Sequence, residues 1–350
     1  MTEQNSTIKK SNTLIINIRE DEDSKNKIKL NQLLDKIKNN ISLILDNQFK
    51  NTDVGDVLDY AISSVGKMVR SRLMILFASF SDNFEDYEDE VCEMAALVEL
   101  IHLSSLIHDD IIDDAYYRRN KISVQAKFGK DAAVYAGDYI ISKIYFYLAK
   151  NSMRLPAMNL AKCIEEMCIG EIGQSRCKYN SNIKISDYIE NIKGKTASLF
   201  KTSCLLGANF SDFSDNQLKD ISEFGINFGI LFQIMDDLLD YTSNIKKIGK
   251  ECNKDFIDGI YTYPIICLIY LEKNNRDLQM ILERNKDHNL EKNDFIKLVK
   301  LVQKSGAIDL TKKEIERLSN KNLEILNKLN GNNMTRYISE SIMNKLKIEQ

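Results

Sequence analysis

Apolar residues recur at three- and four-residue steps through most of the chain, and this spacing limits the possible fold more than any other feature. The first clear run comprises Leu33, Leu34, Ile37, Ile41, Ile44 and Leu45. Such a period is typical of amphipathic helices, and no convincing strand alternation accompanies it. Only two prolines, Pro156 and Pro264, occur in 350 residues. The sequence therefore predicts an all-α fold, a single-domain antiparallel helical bundle.

The same period predicts long helices through the middle of the chain. They cover roughly residues 131–150, 157–178, 185–207, 215–243 and 256–273. Residues 1–28, in contrast, are rich in Asn, Lys, Ser and acids. A segment with so few apolar residues predicts a disordered leader, so the folded domain is expected to span residues 29–350.

Composition excludes several classes of protein. The net charge of −3 gives no overall basic field, so nucleic acid is not an expected partner. Seven cysteines, an odd number without CxxC spacing, indicate reduced thiols of an intracellular protein. The N-terminus lacks the apolar core of a signal peptide, and no uncharged apolar run approaches a membrane span. We expect a cytoplasmic protein without a transmembrane segment, with organelle import left open.

Residues 99–120 read ELIHLSSLIHDDIIDDAYYRRN, an apolar helix that ends in acids and then in arginines. Asp109 and Asp113 are four residues apart, so on a helix both carboxylates leave one face about one turn apart. Clustered carboxylates suit a hard cation such as Mg2+, and the guanidinium groups of Arg118 and Arg119 match phosphate geometry. This stretch predicts a metal-bridged phosphate site, with a solvated acidic helix end as the alternative.

A second acidic stretch repeats this spacing far downstream. Residues 224–241 read FGINFGILFQIMDDLLDY, with Asp236, Asp237 and Asp240 in the same order and Gln233 one turn earlier. Two identical spacings, each on an apolar helix, favour a functional site over a solvated surface. If the two helices face each other, metal ions held between them would clamp one diphosphate from two sides.

These motifs, in this order, resemble those of the trans-type isoprenyl (polyprenyl) diphosphate synthase family. The resemblance covers most of the chain after residue 60. Its segments are DDIID at 109–113, DDLLD at 236–240, Gly66-Lys67 with Arg70, His102, AGDYI at 136–140, GEIGQ at 170–174, KTASLF at 195–200, and GK at 249–250 with Asp255 and Pro264. A single DDxxD motif would be weak support, whereas the ordered series is specific.

The resemblance implies helices around a deep central cavity, a homodimer, and a head-to-tail condensation of isopentenyl diphosphate with an allylic diphosphate. It also implies Mg2+ as the cofactor, about three ions with substrate bound, with Mn2+ as an alternative. The implied metal ligands are Asp109, Asp113 and Asp236. The acids implied to support the metals or their waters are Asp110, Asp237 and Asp240.

Two sets of substrate ligands follow from the same resemblance. The implied ligands of the allylic diphosphate are Arg118, Lys195, Thr196, Gln233 and Lys250. Those of isopentenyl diphosphate are Lys67, Arg70, His102 and Arg119. Lys195 also joins the six motif acids in the implied catalytic set. Without the resemblance, Lys67 and Arg70 would be interpreted as surface charges and His102 as a core histidine.

The chain departs from the family pattern at several positions. Val65, Asn120 and Asn253 stand where glycine is usual, and Ser71 stands where proline is usual. Ile260 replaces a lysine that members commonly use for the allylic diphosphate. This loss would weaken substrate binding unless a neighbour such as Lys254 compensates. The motif acids are intact, so activity is expected.

Two serines bear on product length. Ser104 and Ser105 precede Asp109 by about one turn on the helix that should form a wall of the hydrocarbon pocket. Short-chain members place a bulky aromatic residue there, so small serines in an apolar pocket predict a product of about C20 or longer. Leu100 and Ile101, one turn deeper, could form a floor instead.

Four other functions remain open from the sequence. A farnesyl-length synthase would catalyse the same condensation, with the floor of its hydrocarbon pocket higher, so that the product is shorter. A class I terpene cyclase would share the first motif, but cyclases usually carry an Asn/Ser/Glu-type second motif and need no isopentenyl site. A di-metal carboxylate bundle is suggested by Glu99-x-x-His102, although a partner motif is missing. A non-catalytic subunit of a heteromeric synthase would tend to lose the acids, which are retained here, while Ile260 keeps that interpretation open.

Overall fold

The computed structural model describes most of the chain. The described residues are 2–45, 49, 51–63, 66–119, 121–242 and 254–344, with side chains from residue 22 to residue 343. The helices, in chain order, are α1 (Thr2–Leu45), α2 (Asp53–Ile62), α3 (Val69–Ala78), α4 (Glu88–Ile112), α5 (Val124–Phe128), α6 (Lys130–Lys150), α7 (Arg154–Arg176), α8 (Ile185–Ile192), α9 (Ser198–Ala208), α10 (Asp215–Thr242), α11 (Lys254–Ile257), α12 (Tyr263–Leu271), α13 (Arg276–Lys286), α14 (Lys292–Lys304), α15 (Ala307–Leu329) and α16 (Asn333–Asn344). The predicted all-α fold is confirmed.

Three short elements complete this description. A 3-10 turn, Phe84–Tyr87, leads into α4, and a π-helical turn, Lys193–Ala197, joins α8 to α9. Two short strands, β1 (Tyr117–Arg118) and β2 (Lys121–Ile122), pair as an antiparallel hairpin. The hairpin was not expected from the sequence. Its first strand carries Arg118, and Arg119 follows in the turn.

The chain divides into two compact units, each assembled from separate stretches of sequence. The first unit comprises Met1–Met158, Ser203–Asp215 and Asn330–Lys347. The second unit comprises Asn159–Thr202, Asn216–Leu329 and Ile348–Gln350. The DDIID motif lies in the first unit and the DDLLD motif in the second.

Helix α4 is the core of the first unit. It packs against α1, α3 and α6, and Val91, Ala95, Leu97 and Val98 are fully buried. A helix that is apolar on nearly every face must be enclosed, which explains this central position. Within the described residues, the stretch Phe84–Ile112 is the one helical segment long and apolar enough to cross a membrane, and 72% of its most apolar window is buried inside the protein.

Helix α1 confirms the first apolar period and extends further than expected. Leu30, Leu33, Ile37 and Ile41 are buried in the first unit, as the spacing predicts. The helix also includes most of residues 1–28, for which the sequence predicts a disordered leader. Lys, Glu and Gln have good helix propensity, so a packed helix can propagate into them at little cost. The division at residue 29 between leader and catalytic domain stays a prediction.

In the second unit, α9 and α10 cross at very short range. A Cβ atom added to Gly225 would lie 2.5 Å from the Cα of Lys201, and one added to Gly229 would overlap Ala197. The Phe200 ring packs against Phe228, with ring centroids 5.3 Å apart. The two glycines therefore allow α10 to approach the π-helical turn that precedes α9, and this approach sets up the site described next.

Candidate active site

The DDIID motif occupies the C-terminal end of α4. The helix ends at Ile112, and the N–H of Asp113 donates to the carbonyl oxygen of Asp109 at 2.9 Å. Asp109 is half-buried and Asp113 is exposed. The two predicted metal ligands therefore lie one helical turn apart at an accessible helix end, as the spacing predicts.

Asp110 faces the hairpin. It is only 3% exposed, and its Oδ1 accepts hydrogen bonds from Arg118 Nε at 2.8 Å and Arg118 Nη2 at 2.5 Å. The turn after α4, in which the N–H of Ala115 donates to the carbonyl oxygen of Asp110 at 2.9 Å, brings residues eight positions apart together. A carboxylate held by a guanidinium in this way is better suited to fixing Arg118 than to binding a metal. The support role implied for Asp110 stays a prediction.

Three of the four residues implied to bind isopentenyl diphosphate come together in the first unit. His102 is half-buried, and its pKa is lowered well below the usual value, first by burial and then by the charges of Arg70, Arg119 and Arg118. The imidazole is therefore neutral at pH 7, and a neutral ring carries one hydrogen-bond donor and one acceptor. The fourth residue, Lys67, is exposed at the start of the same segment.

The departure at Ser71 has a structural explanation. Ser71 is fully buried, and both its N–H and its hydroxyl donate to Glu99 Oε1, at 3.2 Å and 2.7 Å. Proline would lack the first of these donors. This pair fixes α3 to α4 and also engages the glutamate of the Glu99-x-x-His102 pattern. The described residues contain no group of three or more His, Cys, Asp or Glu placed to hold a metal, so the di-metal alternative has no support there.

The DDLLD motif lies near the end of α10 in the second unit. Asp236 is exposed, Asp240 is half-buried and Asp237 is buried. Burial raises the pKa of Asp240 to about 6, with further contributions from the charges of Asp255 and Asp236. The sequence places Asp255 in the tail of the second motif, and its charge on Asp240 adds it to the residues around the site.

Asp237 accepts hydrogen bonds from three donors. Its Oδ2 accepts from the hydroxyl of Tyr188 at 2.7 Å and from the N–H of Tyr263 at 3.0 Å, and its Oδ1 accepts from Gln233 Nε2 at 3.0 Å. Burial raises the pKa of Asp237 to about 7, and these hydrogen bonds oppose the rise. Asp237 is thus tied to its own unit, while Asp236 and Asp240 are the more accessible acids.

Three of the five implied allylic ligands, Lys195, Thr196 and Gln233, lie in the second unit with this acid. Thr196 Oγ1 donates to Gln233 Oε1 at 3.1 Å. Lys195 Nζ donates to Glu171 Oε2 at 3.0 Å and to Gln174 Oε1 at 2.9 Å. Sequence reasoning left Glu171 and Gln174 outside the site, although both belong to the GEIGQ segment. The structure brings Lys195, Thr196 and Gln233 into one polar cluster.

The π-helical turn presents Lys195 and Thr196 because α7 approaches it closely. A Cβ added to Gly194 would lie 2.6 Å from the carbonyl oxygen of Glu166, and one added to Gly170 would overlap the backbone of Lys195. The predicted helix over residues 185–207 is therefore interrupted at this turn. Single π turns inside helices are frequent at functional sites.

Ile260 lines a small cleft in the second unit. The cleft is lined by Gln174, Cys177, Ile183, Tyr188, Asn191, Ile260 and Tyr261. The N–H of Ile260 donates to the carbonyl oxygen of Asp255 at 2.7 Å. The side chain that replaces the usual lysine thus packs beside Gln174, which already accepts from Lys195. Lys250 and the departures Val65, Asn120 and Asn253 lie outside the described residues.

The two serines of the predicted pocket wall differ. Ser104 is fully buried, and its hydroxyl donates to the carbonyl oxygen of Gly137 in α6 at 3.0 Å. Ser105 is half-buried and donates to the carbonyl oxygen of His102 at 2.9 Å. Ser104 therefore belongs to the α4–α6 contact, and of the two serines Ser105 is the more accessible.

Comparisons with known proteins agree with this geometry. The family model for polyprenyl synthetase matches residues 51–299. Heptaprenyl diphosphate synthase component 2 of Bacillus subtilis (strain 168) is 31% identical over 271 residues, covering 77% of this chain and 75% of the relative. The structure of heptaprenyl diphosphate synthase from Staphylococcus aureus superposes with a TM-score of 0.79 at 27% identity, over 90% of this chain and 97% of the other. A polyprenyl synthase structure from Caulobacter crescentus CB15, complexed with calcium and isoprenyl diphosphate, gives a TM-score of 0.78 at 24% identity, over 91% and 94% of the two chains.

The helical fold and the two aspartate motifs define an isoprenoid synthase-like protein. The chain belongs to the polyprenyl synthetase family. It is a trans-prenyltransferase that elongates prenyl diphosphates, as the resemblance implies, and family members use a divalent metal and isoprenoid diphosphate substrates.

Proposed function

We propose that the protein condenses isopentenyl diphosphate with an allylic diphosphate, in a Mg2+-dependent reaction, to a product of about C20 or longer. The observation that carries this proposal is the cluster of Arg70, His102 and Arg119 in the same unit as the DDIID motif. A synthase needs a cationic site for a second diphosphate, whereas a terpene cyclase does not. The cluster therefore favours the synthase over the cyclase.

The donor set fits Mg2+. Asp109, Asp113 and Asp236 offer accessible carboxylate oxygens, which are the ligands that this hard ion prefers. Mg2+ usually keeps several waters and takes further oxygens from a substrate phosphate, so it does not need a complete set of protein ligands. Bound Mg2+ would supply positive charge to the departing diphosphate, and we keep about three ions as the expected number, with Mn2+ as an alternative.

We assign the remaining roles to the chain's own residues. Lys195, Thr196 and Gln233 orient the allylic diphosphate, and Lys250 and Arg118 are expected to join them. Arg70, Arg119 and Lys67 hold isopentenyl diphosphate, with His102 as a neutral hydrogen-bonding partner. The acids that support the metal ions or their bound waters are Asp110, Asp237 and Asp240. Apolar residues that lead into each motif exclude water from the reacting carbons.

Assembly and location are further parts of the proposal. We expect a homodimer, because apolar side chains are exposed on the outer face of α6, including Tyr135 and Phe146. The Bacillus relative is component 2 of a heptaprenyl diphosphate synthase, which favours a second candidate, the catalytic component of a heteromeric synthase. Free cysteines such as Cys92 and Cys204 support an intracellular, cytoplasmic location.

Product analysis tests this function. Purified protein is incubated with isopentenyl diphosphate, Mg2+ and each allylic primer in turn, and the prenyl chains are sized. Chains of about twenty carbons or more are expected, since small residues leave the apolar pocket open. A product that ends at about fifteen carbons would contradict an open pocket wall at Ser104 and Ser105, but it would still support the synthase reaction. Absence of turnover with any primer, in folded protein, would overturn the catalytic proposal for the chain alone and favour a missing second component.

A further inference from the structure

We propose that Tyr188 is a positioning residue for the allylic substrate, acting through Asp237 and Gln233. The inference rests on the function proposed above and assigns a role to a side chain outside the motifs. Tyr188 lies in α8, is buried, and is joined to Gln233 by hydrogen bonds through the carboxylate of Asp237. All three residues belong to the second unit.

The first step concerns the orientation of the carboxylate. Two donors, the Tyr188 hydroxyl and the Tyr263 N–H, both bind Oδ2 of Asp237, at 2.7 Å and 3.0 Å. They come from α8 and from the start of α12, so they hold this oxygen from two separate elements. The carboxylate cannot rotate without losing at least one of them. Oδ1 is therefore held toward Gln233.

The second step concerns the polarity of the Gln233 amide. In its ionised form the Asp237 carboxylate only accepts hydrogen bonds, so Gln233 turns its NH2 group toward Oδ1. Its carbonyl oxygen, Oε1, then faces Thr196, whose hydroxyl donates to it at 3.1 Å. The second N–H of the amide is the donor that Gln233 can offer a phosphate oxygen. Tyr188, acting through Asp237 and Gln233, thus determines which atoms of the amide contact the diphosphate.

The Tyr188→Phe substitution isolates this contribution. It keeps the ring, whose centroid lies 5.6 Å from that of Tyr263 in an edge-on contact, and removes only the hydroxyl. Asp237 then retains one donor on Oδ2, and the carboxylate and the Gln233 amide lose their single orientation. Affinity for the allylic diphosphate should fall while the isopentenyl site of the first unit is untouched.

The experiment compares the full-length variant with wild type by steady-state kinetics and by calorimetry with inorganic diphosphate and Mg2+. We expect Tyr188→Phe to raise the KM for farnesyl diphosphate and the Kd for inorganic diphosphate about tenfold, which is about 1.4 kcal/mol. The KM for isopentenyl diphosphate should stay within about twofold. Tyr241→Phe is the matched control, because it removes another buried hydroxyl of the same unit, one that approaches Thr262. It should leave all three constants near wild type.

A double-mutant cycle with Gln233→Leu separates positioning from general destabilisation. If Tyr188 acts through Gln233, adding Tyr188→Phe to Gln233→Leu raises the allylic constants no further. The proposal is overturned if the effects of the two substitutions multiply in the double variant. A parallel rise of both KM values in Tyr188→Phe, or an unchanged Kd for inorganic diphosphate, would also overturn it. If wild type shows no condensation, the proposed function fails, and the calorimetric cycle with inorganic diphosphate still decides the role of Tyr188.

Discussion

The guanidinium of Arg119 lies against the α-carbon of Gly66, in the space that a side chain at residue 66 would fill. A Cβ there would be 2.7 Å from Nη2 of Arg119 and would overlap the rest of the group. Arg119 also contributes to the field that keeps His102 neutral. A glycine at this point therefore allows an arginine from beyond the hairpin's first strand to reach the proposed isopentenyl site.

Gly66→Ala should displace Arg119 and weaken binding of isopentenyl diphosphate. One charge-assisted hydrogen bond is worth about 1.5–3 kcal/mol, so we expect the KM for this substrate to rise about tenfold or more. The KM for the allylic substrate serves as the internal control, because Lys195, Thr196 and Gln233 belong to the second unit and Arg118 is held separately by Asp110. Equal changes in both KM values would contradict the assignment.

Bulky residues at the two serines before the first motif should have different effects. Ser105→Phe places a ring at a half-buried position and should shorten the product. Ser104→Phe must enter the buried contact at Gly137 and should lower the Tm, since overpacking costs about 1–3 kcal/mol. Product sizing and thermal unfolding of both variants measure this. The prediction fails if Ser104→Phe shortens the product at an unchanged Tm.

Stability of the metal-free protein should fall as the pH rises. The pKa of Asp237 is raised by burial to about 7, above the value of about 3.9 for an unfolded chain. Between these values the folded state binds more protons, so the free energy of unfolding decreases with increasing pH, and Asp240, with a pKa of about 6, acts in the same direction. Asp237→Asn should lose part of the decrease in Tm between about pH 5 and pH 8.

Asp294→Asn is the control for that titration. Although burial acts to raise its pKa, hydrogen bonds from the Glu291 N–H and from Arg284 outweigh burial and lower it. Asp294 therefore completes its titration below the range measured, and its variant should keep the wild-type slope of Tm against pH. A slope that is identical in wild type and Asp237→Asn would show that Asp237 does not carry the effect.

Dimerisation can be tested on the outer face of α6. Phe146 is 62% exposed and Tyr135 72% exposed. A charge at Phe146 would oppose burial of this face against a second copy, so Phe146→Glu should convert the proposed dimer to a monomer in sedimentation velocity. Phe146→Leu keeps an apolar side chain and should remain dimeric. A monomeric wild type would refute the homodimer, and a dimeric Phe146→Glu variant would place the interface elsewhere.

Local features of the sequence were enough to predict the helices and the motif ends. The apolar residues from Leu33 to Ile41 are buried as predicted, because their spacing places them on one face of the helix and that face packs against the core. Asp109 and Asp113 lie one turn apart for the same reason. Such inferences need only the geometry of a single helix.

Features that depend on contacts between elements were not predictable. The orientation of Ser104 follows from the close approach of α6 at Gly137, and the pairing of Asp110 with Arg118 follows from the turn between α4 and a strand that has no clear sequence pattern. The hydrogen-bond chain from Tyr188 to Thr196 requires three elements to meet, two helices and a π-helical turn. The pattern of residues along the sequence does not show how closely these elements approach one another.

The engagement of Lys195 has a consequence for selectivity. In the ligand-free protein its ammonium group is already balanced by the Glu171 carboxylate and the Gln174 amide oxygen. An arriving anion must therefore displace an internal partner rather than settle on an uncompensated charge. We expect orthophosphate or sulfate, with fewer oxygens and no second attachment point, to compete poorly in such an exchange. The resting ion pair at Lys195 should therefore make the proposed allylic site selective for a prenyl diphosphate over small anions.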